Sequence, residues 1–118
     1  MSMNKYAEME LHRGDIIWYR KEENETIGSE QYGTRPAIIV SNDSANFYSP
    51  IVLIVPLTSR SKAEQPTHAS ITMSEHTSVA LCEQVTSISV KRIISKIGHV
   101  SPKEIKSVNN ALKVALFL

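Results

Sequence analysis

The segment from Gly28 to Pro36, Gly-Ser-Glu-Gln-Tyr-Gly-Thr-Arg-Pro, holds the most varied set of reactive side chains in this sequence. It joins a carboxylate, an amide, hydroxyls and a guanidinium on a predicted loop that glycines bracket. The apolar run Ala37–Val40 follows at once and predicts a buried strand that anchors the loop. Polar groups on an anchored loop are well placed for binding or catalysis. Pro36 also restricts Arg35 to extended geometry, so we expect this guanidinium to have little freedom.

A second polar cluster, Thr58–Lys62, reads Thr-Ser-Arg-Ser-Lys and follows an apolar strand that ends at Leu57. A hydroxyl at a strand end, with Arg60 and Lys62 beside it, suits a phosphate oxygen. The same residue types also form ordinary solvated turns, and the cluster alone leaves both interpretations open. Taken together with Arg35 at the end of another strand, it favours a phosphate-binding site.

Other chemistries find less support in the sequence. Cys82 follows Ala80 and Leu81, so we expect a small buried side chain and not a reactive thiol. The glycine-rich and serine motifs of nucleotide and serine hydrolases do not occur. No histidine pair has the spacing of a zinc site, so we expect surface or loop histidines at all four positions: His12, His68, His76 and His99.

Composition bounds the class of protein. A length of 118 residues with 42% hydrophobic and 21% charged residues predicts one globular domain. The net charge of +1 argues against broad nonspecific coating of nucleic acid but leaves room for a local basic groove. The single cysteine excludes an intrachain disulfide. No apolar run approaches the roughly 20 residues of a membrane span, and Met1–Glu10 does not resemble a secretory signal. We therefore expect a cytoplasmic protein.

Short apolar runs predict strands along most of the chain. Pro56 predicts an edge position or a bulge for its strand, because proline cannot donate to a ladder. The polar stretch Arg20–Arg35 predicts a long loop, and Asn42–Asn46 predicts a turn or one helical turn. The strands are predicted at Asp15–Tyr19, Ala37–Ser41, Ile51–Leu57, Thr67–Met73, Ser78–Val85 with Thr86–Val90 continuing it, and Ile93–Val100.

The last segment predicts a helix. Ser101, Pro102 and Glu104 form a capping box with proline at the first helical position. Ala111–Leu118 is apolar on more than one face, which indicates a subunit interface, core packing, or both. We therefore expect a mainly β protein with a C-terminal α-helix, built as a small barrel or curled sheet. Residues 1–12 are expected to be a flexible extension and residues 13–118 one domain.

Seven motifs occur in the order in which the MazF/PemK (Kid) toxin family carries them. Together they make the sequence resemble that family from about Arg13 to Leu118. The motifs are Arg13–Trp18, Gly28–Gln31, Thr34–Pro36, Val40–Asp43, Val55–Ser59, Pro66–His68 and Ala80–Val85.

The resemblance implies an SH3-like β-barrel with a C-terminal helix, assembled as a homodimer. It implies a metal-independent, cofactor-free endoribonuclease (an mRNA interferase) that cuts single-stranded RNA at short sequences. A cognate antitoxin with a flexible tail would neutralise it. The main alternative is a non-enzymatic toxin or binding module on the same barrel that blocks a partner protein.

The resemblance also assigns residues. It places the catalytic arginine at Arg35, the catalytic threonine at Thr58 and a supporting glutamate at Glu30. Tyr32 stands where relatives usually carry a small residue, and it would stack on a base or narrow the cleft. Substrate contacts are expected from Ser29, Gln31, Tyr32, Ser59, Arg60, Lys62 and Gln84.

Metal-free RNA cleavage uses the 2′-hydroxyl as the attacking group, and negative charge gathers on the nonbridging phosphate oxygens. A forked guanidinium suits that charge, which favours Arg35 as its stabiliser. Thr58 would orient the phosphate. Glu30 would accept the 2′-proton or hold Arg35 in place, and both roles stay open. Phe47 and Tyr48, on a predicted loop, would stack on bases or pack against the barrel.

Overall fold

The computed structural model describes residues 10–21, 33–60, 63–74 and 76–118. Most of the expected N-terminal extension, residues 1–9, therefore lies outside the described residues. Within the described ranges, the elements are β1 (Asp15–Lys21), β2 (Gly33–Ile39), α1 (Asp43–Tyr48), β3 (Ile51–Thr58), β4 (His68–Met73), β5 (His76–Leu81), a 3-10 turn (Cys82–Gln84), β6 (Thr86–Ser89), a second 3-10 turn (Val90–Arg92), β7 (Ile93–His99) and α2 (Pro102–Leu116).

The strands form an antiparallel sheet in the order β4-β5-β3-β2-β1-β7, with β6 also paired to β3. Strand β3 is central. It has β2 on one edge, while β6 and then β5 run along its other edge. The 3-10 turn Val90–Arg92 carries the chain from β6 to β7, which pairs with β1. The sheet therefore curls around an interior core, as predicted for an SH3-like barrel.

The two faces of the sheet bury separate cores. The interior core contains Ile17, Ala37 and Ile54, all fully buried. On the outer face, Ile38 and Val55 pack with Val108 and Ala111 of α2. Alternation along each strand produces this division, because successive side chains point to opposite faces. The predicted fold class, mainly β with a C-terminal helix, is confirmed.

The capping box of α2 is present and does more than begin the helix. The Ser101 hydroxyl accepts a hydrogen bond from the Glu104 backbone N–H at 3.1 Å, and Glu104 Oε1 accepts from the Ser101 N–H at 2.9 Å. Glu104 Oε2 accepts a third bond, from the Thr72 N–H of edge strand β4, at 2.7 Å. One carboxylate therefore caps the helix and joins it to the sheet. Among the described residues, no helix is long and apolar enough to cross a membrane.

The turn before β1 contacts the last residue of β7 and the residue that follows β2. Gly14 has a φ of +97°, and a Cβ there would lie 3.0 Å from His99 Cε1. His99 Nδ1 lies 2.8 Å from Oδ1 of the buried Asp15. Arg13 bonds the Val40 carbonyl through Nε at 2.8 Å. The turn therefore requires glycine, because both its backbone conformation and the space beside His99 exclude a side chain.

Several local predictions need correction. The predicted loop Arg20–Arg35 is too long, because β1 extends to Lys21 and β2 begins at Gly33. The pairing of these two strands continues to Lys21 and Gly33. The residues at these strand ends are polar, so no apolar pattern in the sequence predicts a strand there. Asn42 caps a true helix, α1, and its side-chain oxygen accepts a hydrogen bond from the Ala45 N–H.

Pro56 pairs with Ala37 on one side only, because on the other edge of β3 the β6 ladder ends at Ile54 and the β5 ladder begins at Leu57. Its position is therefore locally an edge that needs no donor, one of the two possibilities predicted for it. The continuous strand predicted from Ser78 is wrong. The 3-10 turn Cys82–Gln84 divides it into β5 and β6.

Candidate active site

The register of β2 and β3 brings Arg35 and Thr58 together. The strands pair Ala37 with Pro56 and continue inward to Ile39 with Ile54. The same antiparallel register, continued two residues outward, sets Arg35 opposite Thr58. Directly opposed residues point to one face, with Cβ atoms about 5 Å apart in a regular pair. Two residues that are distant in the sequence therefore share one end of the sheet.

Both residues line a cavity of about 330 Å³. One wall comes from β1 and β2, the other from β4 and β5, and the end of β3 lies between them. The full lining is Trp18, Thr34, Arg35, Pro36, Leu57, Thr58, Ser59, Arg60, Met73, His76 and Ser78.

The chemistry of this lining suits an anion. Arg35 and Arg60 contribute two guanidinium groups, and no carboxylate lines the cavity among the residues the structure describes. Thr58 Oγ1 accepts a hydrogen bond from the Arg60 backbone N–H at 3.2 Å. This bond occupies an oxygen lone pair and leaves the Thr58 O–H as a donor. A phosphate group would meet donors from a guanidinium and a hydroxyl in one small space.

The cavity gathers four of the predicted site residues: Arg35, Thr58, Ser59 and Arg60. Gln84 is exposed on the 3-10 turn after β5 and does not line this cavity. The other predictions fall outside the described residues, namely Ser29, Glu30, Gln31, Tyr32 and Lys62.

Phe47 and Tyr48 lie on helix α1, so the prediction that places them on a loop is wrong. Their rings meet edge to face with centroids 4.8 Å apart. The side chains are 39% and 47% exposed. Neither ring lines the cavity that contains Arg35.

Trp18 and His76 also line the cavity, although the sequence did not predict either as a site residue. Trp18 pairs across β1 and β2 with Pro36, next to Arg35, and it is half-buried. Because Trp18 is two residues from Ile16 in β1, alternation predicts that its side chain lies on the outer face of the sheet. The sequence does not show that a cavity is present at that position. His76 begins β5 opposite Met73, and only the tertiary structure brings it to this cavity.

The prediction that every histidine is a surface or loop residue is wrong for His68. This residue lies in β4, its side chain is only 8% exposed, and its Nε2 is 3.3 Å from Glu83 Oε2. Burial raises the pKa of Glu83, but hydrogen bonds from its own backbone, His68 and Thr67 outweigh burial and leave the pKa below its usual value. The pair therefore forms a hydrogen-bond contact between β4 and the 3-10 turn.

Cys82 is fully buried, as predicted, and burial raises the pKa of its thiol to about 11. A thiol with so high a pKa is a poor nucleophile at neutral pH. In the described ranges, no three histidine, cysteine, aspartate or glutamate side chains come close enough to hold a metal ion. The residues in the cavity are donors suited to anions.

Comparison with known proteins places these features in a family. Residues 12–116 match the profile of the family described as "PemK-like, MazF-like toxin of type II toxin-antitoxin system". The chain is 39% identical over 113 residues to Endoribonuclease MazF of Staphylococcus saprophyticus, covering 92% of each sequence.

Solved structures show the same fold. An endoribonuclease from a mycobacterial species, in complex with its cognate antitoxin, has a TM-score of 0.74 and 26% identity over 92% of this chain and 96% of its own. MazF from Deinococcus radiodurans has a TM-score of 0.76 and 22% identity over 92% and 97%. The family profile, the curated relative and the curled sheet agree, and the chain belongs to the family of PemK-like, MazF-like toxins of type II toxin-antitoxin systems.

Proposed function

We propose that this protein is a sequence-specific endoribonuclease toxin that cleaves single-stranded RNA, including mRNA, without a metal ion. The observation that carries the proposal is the cross-strand placement of Arg35 and Thr58 at one cavity. Its relative from S. saprophyticus is named an endoribonuclease, which supports the same activity here. The 330 Å³ cavity admits a phosphate with part of its ribose and base, not a folded RNA.

In this mechanism the ribose 2′-oxygen attacks the adjacent phosphorus in line and loses its proton. The P–O5′ bond breaks, leaving a 2′,3′-cyclic phosphate on one fragment and a 5′-hydroxyl on the other. Arg35 would stabilise the negative charge that develops on the nonbridging oxygens. Thr58 would donate its O–H to the same phosphate and hold it in the reactive orientation.

The remaining contacts complete the proposed RNA site. Glu30 would accept the 2′-proton or hold Arg35 in place. Trp18, half-buried on the β1–β2 wall, offers a face on which a base can stack. Arg60, exposed at the end of β3, would bind a neighbouring phosphate. Further RNA contacts would come from Ser29, Gln31, Tyr32, Ser59, Lys62 and Gln84.

The proposal includes a protein partner. The mycobacterial relative is described with its cognate antitoxin. We assign this chain a cognate antitoxin of its own, with a flexible acidic and apolar tail that covers Arg35 and Thr58. The protein would act in the cytoplasm, where its RNA substrates and antitoxin are made. One fully buried cysteine is compatible with that compartment.

A homodimer forms part of the same proposal. Leu53 and Ile51 are each 45% exposed and share by alternation the sheet face of Val55, which α2 covers. Leu116 and Phe117, 51% and 98% exposed, lie at the C-terminal end of α2. The helix covers only part of its sheet face, and a second copy of the chain would cover the rest.

Gel filtration tests the dimer. We expect the parent protein to elute as a dimer at micromolar concentration and Leu53→Asp to elute as a monomer, because a carboxylate would be buried without a partner. Ile94→Asp is the matched control, since Ile94 is 50% exposed on β7. A parent protein that elutes as a monomer would refute the dimer.

Cleavage of a mixed-sequence RNA in excess chelator tests the activity. We expect discrete cuts with 5′-hydroxyl and cyclic phosphate ends. Arg35→Ala and Thr58→Val should each slow cleavage by about 10²-fold or more, as for removal of one transition-state donor. Lys91→Ala and Thr86→Val are matched controls on exposed residues outside the cavity. Intact RNA would instead favour the non-enzymatic toxin, and dependence on a divalent ion would refute the metal-free mechanism.

A further inference from the structure

Two sequence motifs that take no chemical step in the proposed mechanism lie side by side outside the cavity. They are Pro66–His68 and Ala80–Val85. His68 is the first residue of β4 and pairs with the last residue of β5. The Cys82 N–H also donates a hydrogen bond to the Thr67 carbonyl at 3.0 Å. The backbone therefore fixes the two motifs beside each other.

The ring of His68 lies between two hydrogen-bond acceptors. Its Nδ1 is 3.3 Å from the Ala63 carbonyl oxygen, and its Nε2 is 3.3 Å from Glu83 Oε2. The side chain is only 8% exposed, so its neighbours restrict rotation of the ring. A carbonyl and a carboxylate accept hydrogen bonds but do not donate them. A ring with an N–H on each nitrogen, the imidazolium, therefore makes both contacts at once.

The two contacts reach different segments of the proposed RNA site. Ala63 belongs to the connection between β3 and β4, which also carries Arg60 of the cavity. Glu83 lies on the 3-10 turn directly before Gln84, a proposed RNA contact outside the cavity. His68 thus joins a segment that lines the cavity to a segment that lies beyond it.

We propose that His68 is a positioning residue for RNA binding, an inference that rests on the proposed ribonuclease function. Its Nδ1 contact holds the connection that carries Arg60, and its Nε2 contact holds the turn that carries Gln84. An RNA strand that leaves the cavity past Arg60 then meets Gln84 at a set separation. Fixing that separation before RNA binds lowers the cost of ordering the two segments on binding.

This role concerns binding and not the chemical step. Arg35 lies on β2, and Thr58 is held by its pairing with Val79 of β5. Neither depends on a contact with the His68 ring. Loss of the His68 contacts should therefore raise KM and leave kcat unchanged, which is the pattern for loss of uniform binding.

Two substitutions separate the two contacts of His68. His68→Asn keeps a donor nitrogen at the position of Nδ1 and loses the contact with Glu83. His68→Gln keeps a donor nitrogen at the position of Nε2 and loses the contact with Ala63. Cleavage of a single-stranded RNA with the mapped cut site is measured at about pH 6, where a histidine ring can carry both protons. Each variant should raise KM about tenfold, the effect of one hydrogen bond to a charged group, with kcat unchanged.

Double-mutant cycles identify the segment through which each contact acts. His68→Asn should raise KM no further in a Gln84→Ala background, because the RNA contact that it positions is already absent. For the same reason His68→Gln should raise KM no further in an Arg60→Ala background. A merely structural role of His68 would instead add the same loss in every background.

Two more variants serve as controls. His12→Gln alters a matched histidine, whose Nδ1 is 3.6 Å from Asp43 Oδ2 outside the cavity, and should match the parent protein in KM and kcat. Circular dichroism establishes that each variant is folded. Glu83→Ala removes the Nε2 contact from a side chain that is 41% exposed, and it replaces His68→Asn in the test if that variant does not fold.

The remaining outcomes are equally decisive. A KM at the parent value in either folded His68 variant would overturn the assignment, as would a rise in KM that persists in the Gln84→Ala and Arg60→Ala backgrounds. A lower kcat with an unchanged KM would also overturn it, because His68 would then act on the chemical step. In these cases a parent protein that cleaves RNA leaves the proposed function intact. A parent protein that does not cleave RNA would refute the ribonuclease function and this role with it.

Discussion

Glu104 offers the sharpest test of how the helix and sheet are joined. Its carboxylate accepts hydrogen bonds from the Ser101 N–H at 2.9 Å and from the Thr72 N–H at 2.7 Å. Glu104→Gln keeps the size of the side chain but replaces one acceptor oxygen by an NH2 group. One of the two backbone donors then loses its partner.

The expected cost follows from these contacts. A hydrogen bond to a charged group contributes about 1.5–3 kcal/mol, and the partial exposure of Glu104 favours the lower end. We therefore expect Glu104→Gln to lower the free energy of unfolding by about 1.5 kcal/mol at neutral pH. Urea titration at one fixed protein concentration measures it. Glu64→Gln, which replaces an exposed carboxylate, is the control and should change stability by less than about 0.5 kcal/mol.

The effect should also depend on pH. Burial raises the pKa of Glu104, but the hydrogen bonds from Ser101 and Thr72 outweigh it and lower the pKa from its ordinary value of 4.5. A lowered folded pKa means that this stabilisation is present above the unfolded pKa and is lost as the pH falls through the folded value. The gap between parent and Glu104→Gln should narrow below about pH 4.5. Equal stability at neutral pH, or a gap that is independent of pH, would refute the reasoning.

Two further outcomes test other parts of the fold. Gly14→Ala should lower the free energy of unfolding by about 1–3 kcal/mol, because the φ of Gly14 is +97° and the new Cβ would lie 3.0 Å from His99. Gly98→Ala is the control, since its Cβ would meet nothing closer than 3.8 Å. Equal melting temperatures of the two variants would contradict this explanation. Cys82 should react with a disulfide reagent at about pH 8 only after denaturant is added, because burial hides the thiol and raises its pKa to about 11. Rapid labelling of the native protein would contradict this expectation.

Local signals predicted the parts of the fold that depend on local chemistry. The capping box at Ser101 and Glu104 identified α2 because its hydrogen bonds join neighbours in sequence. The apolar runs identified β3 and β7 with little error. The end of β1 and the start of β2 were assigned to a loop, because the polar residues there pair through their backbones and carry no apolar pattern.

The candidate site was predicted only in part. Arg35 and Thr58 came from motifs, and the strand register then explained why they are neighbours. Trp18 and His76 carry no local signal, since each reaches the cavity through a separate strand of the sheet. Pro56 correctly signalled a position without a ladder partner on one side, but the change of partner strand from β6 to β5 that creates it is invisible in sequence.

The dependence of the Arg35–Thr58 pair on β-strand register has a genetic consequence. Deleting a single codon within β2 would turn every side chain beyond it to the opposite face, so that a neighbour would replace the guanidinium at the cavity. Selection for cells that survive expression of this gene should therefore recover in-frame deletions in β2 alongside substitutions of Arg35. Insertions of similar size at Ser49 and Pro50, in the connection between α1 and β3 outside the cavity, should be recovered far less often, because a surface connection absorbs added length.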